Sequence, residues 1–556
     1  REVEVKDVFS SDGTKLTYNI EEKSRVIGQC LSISVGPKKK GDKVVIKVEY
    51  VTSPDASGIQ WLLPANTAGK KYPYLFTQNQ AIHARSMYPC QDTPQAKITY
   101  TASVTVPDPL TALMSAAHTG KKSGTDGKTT FTFEQKIPMP TYLVALAVGD
   151  IVGKEIGPRT TLYSEREMID AGAYEFAETE SFLLAGEKIC GPYVWGRYDI
   201  LLLPPSFPYG GMENPCLTFV TPTLLAGDRS QANVVAHEIA HSWTGNLVST
   251  NNWECFYVNE GFTVWLERKI LAEIFDEHFR SFHALLGLQH LQDDIDLLGE
   301  TNPLTALDIK LGTDISPDDS FSSVPYEKGS AFLFYLETLV GAEPWGEFFK
   351  AYIKEFSYKT VTTKQWTDYL KAYLEKKNLS HTLKEVDWNA WLNNPGMPPV
   401  TVPRDMVMYN AVEAFRVYCE ELKKENRSEL ESCTLADDFV ALQWVLLLNE
   451  LRANSDKLSL SLVRALDSRY NLNAVHNSEI RFVWQLLCLK LGDEIVFPQV
   501  IKFITEQGRM KYVRPLYRAL AKCSPAGEEL ALETFKKHKK FYHNTAAAMV
   551  AKDLRL

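Results

Sequence analysis

The sequence predicts a multidomain α+β protein with an N-terminal antiparallel β domain, a mixed central domain and a C-terminal all-α domain of the helical-repeat type. Three observations support this prediction. At 556 residues the chain is too long for a single hydrophobic core. Its first part shows strand-like alternation, whereas its last part is helical almost throughout. A proline-rich stretch separates the helical part from the residues before it.

Residues 1–150 are predicted to form the β domain. Apolar and polar residues alternate over 2–5 and again over 46–50, as in strands that bury one face. Residues 98–106 are rich in Thr, Val and Tyr, and turn clusters such as Ser11-Asp12-Gly13 separate these segments. We therefore expect short antiparallel strands joined by turns.

Residues 151–394 are predicted to form the mixed domain. The apolar run 198–203 ends at Pro204-Pro205, which favours a buried strand. A second helix is expected over 261–274, with Glu260 just before it. An earlier helix is predicted from three apolar residues at helical spacing, Val234, Val235 and Ile239.

The ends of that earlier helix are also predicted. Asp228 or Ser230 is expected to cap its start, because short polar side chains accept hydrogen bonds from the first free N–H groups. Gly245-Asn246 is expected to end it.

Residues 395–405 are predicted to be an extended linker, since they contain four prolines, which cannot continue a helix. Residues 406–556 are predicted to be all-α. Ser524-Pro525 has the pattern of an N-cap followed by proline at the first helical position. We expect stacked helical hairpins without a strict repeat period. One stripe at helical spacing consists of Leu458, Leu462, Val463 and Leu466.

The composition restricts the class of partner and the compartment. A net charge of -9 and a pI near 5.8 argue against a nucleic-acid partner or a strongly anionic membrane surface. No apolar stretch approaches the roughly eighteen residues of a membrane span, so none is expected. The nine cysteines include no C-x-x-C pair, which is typical of a reducing compartment, and we expect a cytoplasmic location.

The most informative motif is His237-Glu238-Ile239-Ala240-His241, followed by Glu260 after eighteen intervening residues. Residues four apart share a helix face, so both imidazoles can bind one ion, with Glu260 as a third ligand. Three protein ligands and an open fourth position are typical of catalytic zinc. We expect one Zn²⁺ per chain, with Glu238 beside it as a general base for a water molecule.

The alternative is that both histidines are exposed polar residues on a helix. The short pattern arises by chance with a probability on the order of a per cent in such a chain. The apolar helical pattern around the motif and the strand predicted upstream argue against this alternative. The motif therefore predicts a zinc hydrolase.

A second motif, Tyr209-Gly210-Gly211-Met212-Glu213-Asn214, lies upstream of the first. Taken alone, it would be a glycine turn beside a buried strand. In this order and spacing the two motifs resemble those of the gluzincin metallo-aminopeptidases, and Pro325-Tyr326-Glu327-Lys328-Gly329 is similar to a further segment of that family. The resemblance covers the whole chain and implies a thermolysin-like central domain. The family's β domain begins further upstream than Arg1, so its first strands are expected to be missing here.

The resemblance also implies a peptidase site that acts on short peptides with a free N-terminus. Glu238 matches the general base, and Tyr326 matches the tyrosine that stabilises the tetrahedral oxyanion. Glu213 matches the residue that binds the substrate's α-ammonium group, assisted by Gln80. Without the family, Gln80 and Tyr326 would be ordinary polar residues in loops. The expected substrate-binding residues of this region are Gln78, Gln80, Tyr209, Gly210, Gly211, Met212 and Glu213.

One branch of the family also hydrolyses the epoxide of a fatty acid, leukotriene A(4), and the resemblance implies a site for this lipid. Arg509 and Lys511 match a basic pair that anchors a carboxylate, and Arg suits bidentate capture better than Lys. Taken alone, Lys511 would be a solvated helix residue. Asp318 matches the aspartate that directs water to the distant carbon of the opened epoxide. Trp253 and Phe256 would line the pocket.

The chain departs from this pattern at Phe321, where the vertebrate enzyme has a tyrosine. Phenylalanine keeps the ring and loses the phenolic donor, so we expect the pocket shape to survive.

Three hypotheses about the function stay open at this point. The protein is a bifunctional zinc aminopeptidase and epoxide hydrolase, or an aminopeptidase only, similar to aminopeptidase B, or a catalytically silent protein whose helical domain binds partners.

Overall fold

The computed structural model describes residues 2–422 and 427–556. The N-terminal domain consists of the strands β1 (Val3–Ser10), β2 (Tyr18–Ile20), β3 (Leu31–Ile33), β4 (Ile46–Thr52), β5 (Ile59–Leu62), β6 (Tyr74–Thr77), β7 (Ile98–Pro107), β8 (Thr111–Met114), β9 (Ala117–Ser123), β10 (Lys128–Met139) and β11 (Leu146–Gly149). They pair antiparallel in the orders β1-β4, β2-β3, β7-β10-β9 and β5-β6-β11-β8. The alternating segments of the sequence therefore form strands.

The central domain starts with a mixed sheet built from β12 (Ile151–Glu155), β13 (Thr161–Glu165), β14 (Asp199–Leu202), β15 (Gly211–Met212) and β16 (Leu217–Val220). The order is β12-β13-β14-β16-β15, with parallel strands in the middle and antiparallel strands at both edges. Two further short strands, β17 (Ser249–Thr250) and β18 (Thr360–Val361), pair with each other.

Helices cover the rest of the central domain. They are α1 (Ile169–Glu175), α2 (Thr179–Cys190), α3 (Asn233–Ala240), α4 (Tyr257–Ile274), α5 (Glu277–Leu298), α6 (Gly329–Val340), α7 (Ala342–Phe356), α8 (Thr363–Lys376) and α9 (Trp388–Leu392). A single π-helical turn, Val324–Lys328, leads directly into α6.

The predicted capping of α3 is wrong. The helix starts at Asn233, and its N-cap residue Ala232 provides no side-chain bond. It ends at Ala240, before the predicted stop at Gly245-Asn246. Asp228 instead accepts a hydrogen bond from the backbone N–H of Ser230 at 2.9 Å, which closes a turn before the helix. Helix α4 also starts earlier than expected, at Tyr257, so Glu260 lies in its first turn.

The C-terminal domain is helical. Its helices are α10 (Val407–Glu421), α11 (Arg427–Ser432), α12 (Ala441–Ala453), α13 (Leu460–Tyr470), α14 (Ser478–Lys490), α15 (Phe497–Glu506), α16 (Met510–Cys523), α17 (Pro525–His538) and α18 (Asn544–Asp553). Ser524 caps α17 by accepting a hydrogen bond from the N–H of Gly527 at 3.2 Å, as the sequence predicts. The predicted fold class is confirmed.

Two hydrophobic cores hold these domains together. One core runs without interruption from Leu62 and Phe76 in the N-terminal domain to Trp391 in the central domain. The other belongs to the helical domain but includes Phe282 and Leu286 of α5, which the central domain contributes. Because the cores cross the domain borders, residues from all three domains can meet at one cleft. Within the described residues, no helix is long and apolar enough to cross a membrane.

Lys328 fastens the linker to the central domain. Its side chain is fully buried, and Nζ donates hydrogen bonds to the carbonyl oxygens of Thr305 at 3.1 Å, Asn394 at 2.8 Å and Gly396 at 2.8 Å. The last two residues lie at the start of the segment between α9 and α10. The ammonium therefore joins this segment to the turn that precedes α6.

We predict that Lys328→Met lowers the free energy of unfolding by about 3 kcal/mol, since it leaves three carbonyl groups, two of them in the buried residues Thr305 and Gly396, without their donor. Lys310→Met is the control, because the side chain of Lys310 is 80% exposed. That change should stay within about 0.5 kcal/mol of the parent protein. Chemical denaturation of the three proteins measures the difference, and equal midpoints and slopes would contradict this role of Lys328.

Candidate active site

Three metal-ligand groups meet between α3 and α4. His237 lies on α3, His241 follows its last residue, and Glu260 lies in the first turn of α4. Glu260 Oε2 is 3.5 Å from Nε2 of His237 and 3.3 Å from Nε2 of His241. Their ligand atoms all lie within 4.8 Å of one another. Two imidazole nitrogens and one carboxylate oxygen at this spacing suit a tetrahedral zinc ion with one open position.

The outer hydrogen bonds of both imidazoles fix their orientation. His237 Nδ1 lies 2.9 Å from Oε2 of Glu267, and His241 Nδ1 lies 2.8 Å from the carbonyl oxygen of Thr244. Both rings therefore turn Nε2 towards Glu260. Oε2 of Glu260 is buried and accepts no hydrogen bond from the described residues. An unpaired buried carboxylate oxygen between two such nitrogens fits a bound cation.

Glu238 lies against the strand that carries the glycine motif. It is 5% exposed, and its Oε2 has no partner among the described residues. Burial raises the pKa of Glu238 to about 8, helped by the carboxylates of Glu213 and Glu260 and opposed by the two histidines. One carboxylate oxygen of Glu238 lies within 4.8 Å of a nitrogen of His241, so this carboxyl group is close enough to exchange a proton with a water molecule held beside that histidine.

Gly210 and Gly211 provide space rather than an unusual backbone conformation. A Cβ atom at Gly210 would lie 2.6 Å from Nη2 of Arg509, and one at Gly211 would collide with the carboxylate of Glu238. Successive side chains of a strand point to opposite faces. The two glycines therefore let Arg509 and Glu238 approach the strand from either side.

Glu213 is buried at the end of this strand, and hydrogen bonds hold both its side-chain carboxylate and its backbone carbonyl group. Gln80 Nε2 donates to Glu213 Oε1 at 3.3 Å, and Asn246 Nδ2 donates to the Glu213 carbonyl oxygen at 2.7 Å. One carboxylate oxygen each of Glu213 and Glu238 lies within 4.8 Å of a nitrogen of His241. Gln78 supports the same strand from the N-terminal domain, with Nε2 3.0 Å from Sδ of Met212.

Aromatic rings form a continuous wall from the metal-ligand groups outward. The ring of Tyr326 stacks on His237 with centroids 6.1 Å apart. Phe256 contacts Tyr326 at 6.2 Å, Phe321 at 5.3 Å and Trp253 at 5.4 Å. Burial raises the pKa of Tyr326 well above its ordinary value, so its hydroxyl stays a proton donor. Tyr209 extends the wall through Phe321, with centroids 6.3 Å apart.

A backbone contact sets the distance between Tyr326 and Glu260. Gly261 follows Glu260 on α4, and Gly329 is the first residue of α6. A Cβ atom at Gly261 would lie 2.7 Å from Cα of Gly329. The two helices can therefore pack backbone to backbone, and the turn with Tyr326 lies directly over Glu260.

Arg509 and Lys511 are not equivalent. Lys511 Nζ donates to Oε1 of Glu479 at 2.7 Å, whereas Arg509 Nη1 bonds the hydroxyl of Tyr512 at 3.0 Å and is 3.8 Å from Glu479. Burial raises the pKa of Glu479, but the positive charges of Lys511 and Arg509 outweigh this effect and lower the pKa to about 2. Nε of Arg509 is buried and lacks a partner among the described residues. Arg509 therefore keeps donor capacity for a ligand, and Lys511 is occupied by Glu479.

Asp318 lies on a 3-10 turn of the central domain, Pro317–Ser320. Its Oδ2 is 2.8 Å from Nε2 of His83, a residue of the N-terminal domain. The other oxygen, Oδ1, is buried without a partner in the described part of the chain.

Four of these residues were not predicted from the sequence. Glu267 had a detectable signal, because it follows Glu260 by seven residues and so lies two turns along the same helix face. His83, Asn246 and Glu479 had none. Each lies far from its partner along the chain and has no motif around it.

The fold and the site together define a zinc metallopeptidase of the gluzincin class. Comparison with protein families agrees with this class. Residues 1–143 match the peptidase M1 N-terminal domain, residues 174–391 match the peptidase family M1 domain, and residues 439–554 match the domain described as leukotriene A4 hydrolase, C-terminal.

Individual proteins are similar over nearly the whole chain. A leukotriene A-4 hydrolase from Xenopus laevis is 48% identical over 93% of this chain and 84% of its own length. A leucine aminopeptidase 2 from Yarrowia lipolytica is 40% identical over 98% of this chain and 84% of its own length. The structure of yeast LTA4 hydrolase in complex with bestatin superposes with a TM-score of 0.92 at 37% identity, covering 100% of this chain and 89% of that one.

The chain therefore belongs to peptidase family M1 and carries a C-terminal domain of the leukotriene A4 hydrolase type. This confirms the resemblance inferred from the sequence. The protein is a hydrolase, and its family is one of zinc-dependent peptidases.

We predict that Gly261→Ala lowers the free energy of unfolding by about 2 kcal/mol, because neither backbone at this contact can give way. Turnover should fall as well, since the turn with Tyr326 must move. Gly346→Ala is the matched control, as a Cβ atom there meets nothing within 4 Å on helix α7. That variant should be as stable as the parent or slightly more so. Thermal denaturation checks both, and an unchanged Gly261→Ala variant would show that the contact is not tight.

Proposed function

We propose that this protein is a one-zinc aminopeptidase that removes N-terminal residues from short peptides, and that the same site converts leukotriene A(4) to leukotriene B(4). The observation that carries the first activity is Glu213. This buried carboxylate is held by Gln80 and Asn246 next to Glu238 and His241. A fixed negative charge at this place binds the free α-ammonium group of a peptide. The enzyme therefore cleaves the bond that follows the N-terminal residue.

The zinc ion fits the residues present. When zinc is bound by His237, His241 and Glu260, it supplies Lewis-acid chemistry that polarises the substrate oxygen and lowers the pKa of a water molecule. Glu238 takes the proton from the attacking water and passes it to the leaving amine. Tyr326 donates its hydroxyl hydrogen to the oxyanion that develops on the former carbonyl.

The lipid activity is supported by Arg509, the aromatic wall and Asp318. Arg509 provides a cationic anchor for the fatty-acid carboxylate, and the aromatic wall provides an apolar surface for its chain. Asp318, whose Oδ1 is buried and unpaired among the described residues, would direct water to the distant carbon of the opened epoxide. Phe321 lacks a phenolic donor, yet its ring keeps its place between Tyr209 and Phe256. The Xenopus and Yarrowia relatives are named for the two activities separately, which favours a bifunctional enzyme over an aminopeptidase alone.

We also propose the domain borders and the compartment. Borders near residues 150, 394 and 405 agree with the end of β11 at Gly149, the start of β12 at Ile151 and the segment without helix or strand between Leu392 and Val407. The nine cysteines are all free, which favours a reducing, cytoplasmic location. The net charge of -9 gives no reason to expect a nucleic-acid partner.

Freshly purified protein should contain one zinc ion per chain by elemental analysis and should turn over both aminoacyl anilides and leukotriene A(4). Glu238→Gln should keep the zinc but lose peptidase turnover by about 100- to 10,000-fold, because an amide cannot accept the proton. Glu273→Gln, on the exposed side of α4, is the control and should behave like the parent. Absence of zinc from the purified protein would contradict both proposed activities. If the protein contains zinc but does not hydrolyse leukotriene A(4), only the proposed peptidase activity is retained.

Arg509 and Lys511 should contribute unequally to carboxylate binding. Arg509→Ala should reduce kcat/KM for a tripeptide by about 10- to 100-fold, since a charge-assisted contact is lost. Lys511→Ala should cause a clearly smaller loss, because Lys511 is already paired with Glu479. The control substrate is the same tripeptide with an amidated C-terminus. For this substrate, the kcat/KM of Arg509→Ala should equal that of the parent enzyme. Equal losses for both variants on the free acid would refute this division of roles.

A further inference from the structure

A chain of three hydrogen-bonded side chains, with the buried His83 in its middle, connects Asp318 to the N-terminal domain. His83 follows β6 and is 3% exposed. Its Nδ1 lies 2.8 Å from Oγ of Ser57, and its Nε2 lies 2.8 Å from Oδ2 of Asp318. Ser57 and His83 belong to one domain and Asp318 to another, so the chain crosses the domain border at the cleft.

The carboxylate of Asp318 defines the direction of its hydrogen bond with His83. An ionised carboxylate only accepts, so Nε2 of His83 carries the hydrogen in its contact with Asp318. In the neutral imidazole, Nδ1 then accepts from the hydroxyl of Ser57, and this bond selects the tautomer. Ser57 therefore supports a donor that points at Asp318.

Among the described residues, no other side chain hydrogen-bonds the carboxylate of Asp318. Burial lowers the pKa of the nearby His543 to about 3, so this imidazole carries no charge that would hold the carboxylate of Asp318. Asp319, the next residue, faces solvent and pairs with Lys552 at 3.1 Å. With Oδ2 held by His83, the orientation of the buried and unpaired Oδ1 is fixed.

We propose that His83, supported by Ser57, is a positioning residue that holds Asp318 so that its free oxygen Oδ1 directs the attacking water during epoxide hydrolysis. This inference rests on the lipid activity proposed above. It makes the N-terminal domain a contributor to that reaction, while peptide cleavage, which does not use Asp318, proceeds without it.

A double-mutant cycle tests this role. His83→Leu removes the donor, and His83→Gln keeps an N–H at nearly the position of Nε2. We expect His83→Leu to lower kcat for leukotriene A(4) by about 10- to 100-fold with little change in KM. Peptidase turnover should stay within about twofold of the parent. His83→Gln should recover most of the lost rate. Combined with Asp318→Asn, His83→Leu should cause no further loss, because the two residues act as one unit.

Controls separate positioning from general damage. Asp319→Asn and His118→Gln change an exposed carboxylate and an exposed histidine, and neither should affect either activity. Equal loss of both activities in His83→Leu, or losses that multiply in the double variant, would overturn the proposal.

A spectroscopic readout keeps the inference apart from the proposed lipid activity. In protein labelled with ¹⁵N-histidine, the Nε2 signal of His83, identified by its absence in His83→Gln, should shift in Asp318→Asn and stay in place in Asp319→Asn. If the parent enzyme does not hydrolyse leukotriene A(4), the proposed lipid activity is refuted, and the proposed role of His83 falls with it even when this shift confirms the contact. An unchanged signal in Asp318→Asn refutes the positioning role directly.

Discussion

The geometry of the active site depends on the backbone contact between Gly261 and Gly329. Any side chain at either position would push α4 and α6 apart, since a Cβ atom at Gly261 would lie 2.7 Å from Cα of Gly329. Glu260 precedes one glycine, and Tyr326 lies three residues before the other. Glu260 and Tyr326 are therefore positioned by close packing of the main chain, which leaves neither of them room to shift. Arg268 of α4 reinforces this arrangement by bonding Glu327 at 2.7 Å.

The charges of the site explain why such stiffness is needed. Glu213, Glu238 and Glu260 are all buried in one small region, and like charges in a poorly solvated place repel each other. Oε2 of Glu238 and Oε2 of Glu260 have no partner among the described residues. A divalent cation compensates this charge, whereas a loosely packed site would relieve it by moving apart. Rigid packing keeps the three carboxylates close together against this repulsion.

Much of this organisation could be predicted from the sequence, because it is encoded over short distances. The spacing of His237 and His241, the alternation in β1 and β4 and the cap at Ser524 all depend on neighbours along the chain. The glycines of the Tyr209–Asn214 motif could be recognised in the sequence, but the need for them could not. They are required because Arg509 and Glu238, which are distant along the chain, pack against the backbone at these positions. His83 and Glu479 could not be found at all, because their partners are 235 and 32 residues away and no local pattern marks them. The capping prediction failed because the carboxylate of Asp228 accepts a hydrogen bond from the backbone N–H of Ser230, in a turn before the helix, and not from an N–H of the first helical turn.

Lys328 has a consequence for how the domains can move. A hinge requires backbone that can rotate freely, but the carbonyl groups at the start of the linker are immobilised by this ammonium. The helical domain also shares its core with α5. Rotation of the helical domain about this end of the linker would have to break the three hydrogen bonds of Lys328 and open that core. The connection between the two domains is therefore a rigid joint, and the helical domain moves together with the central domain.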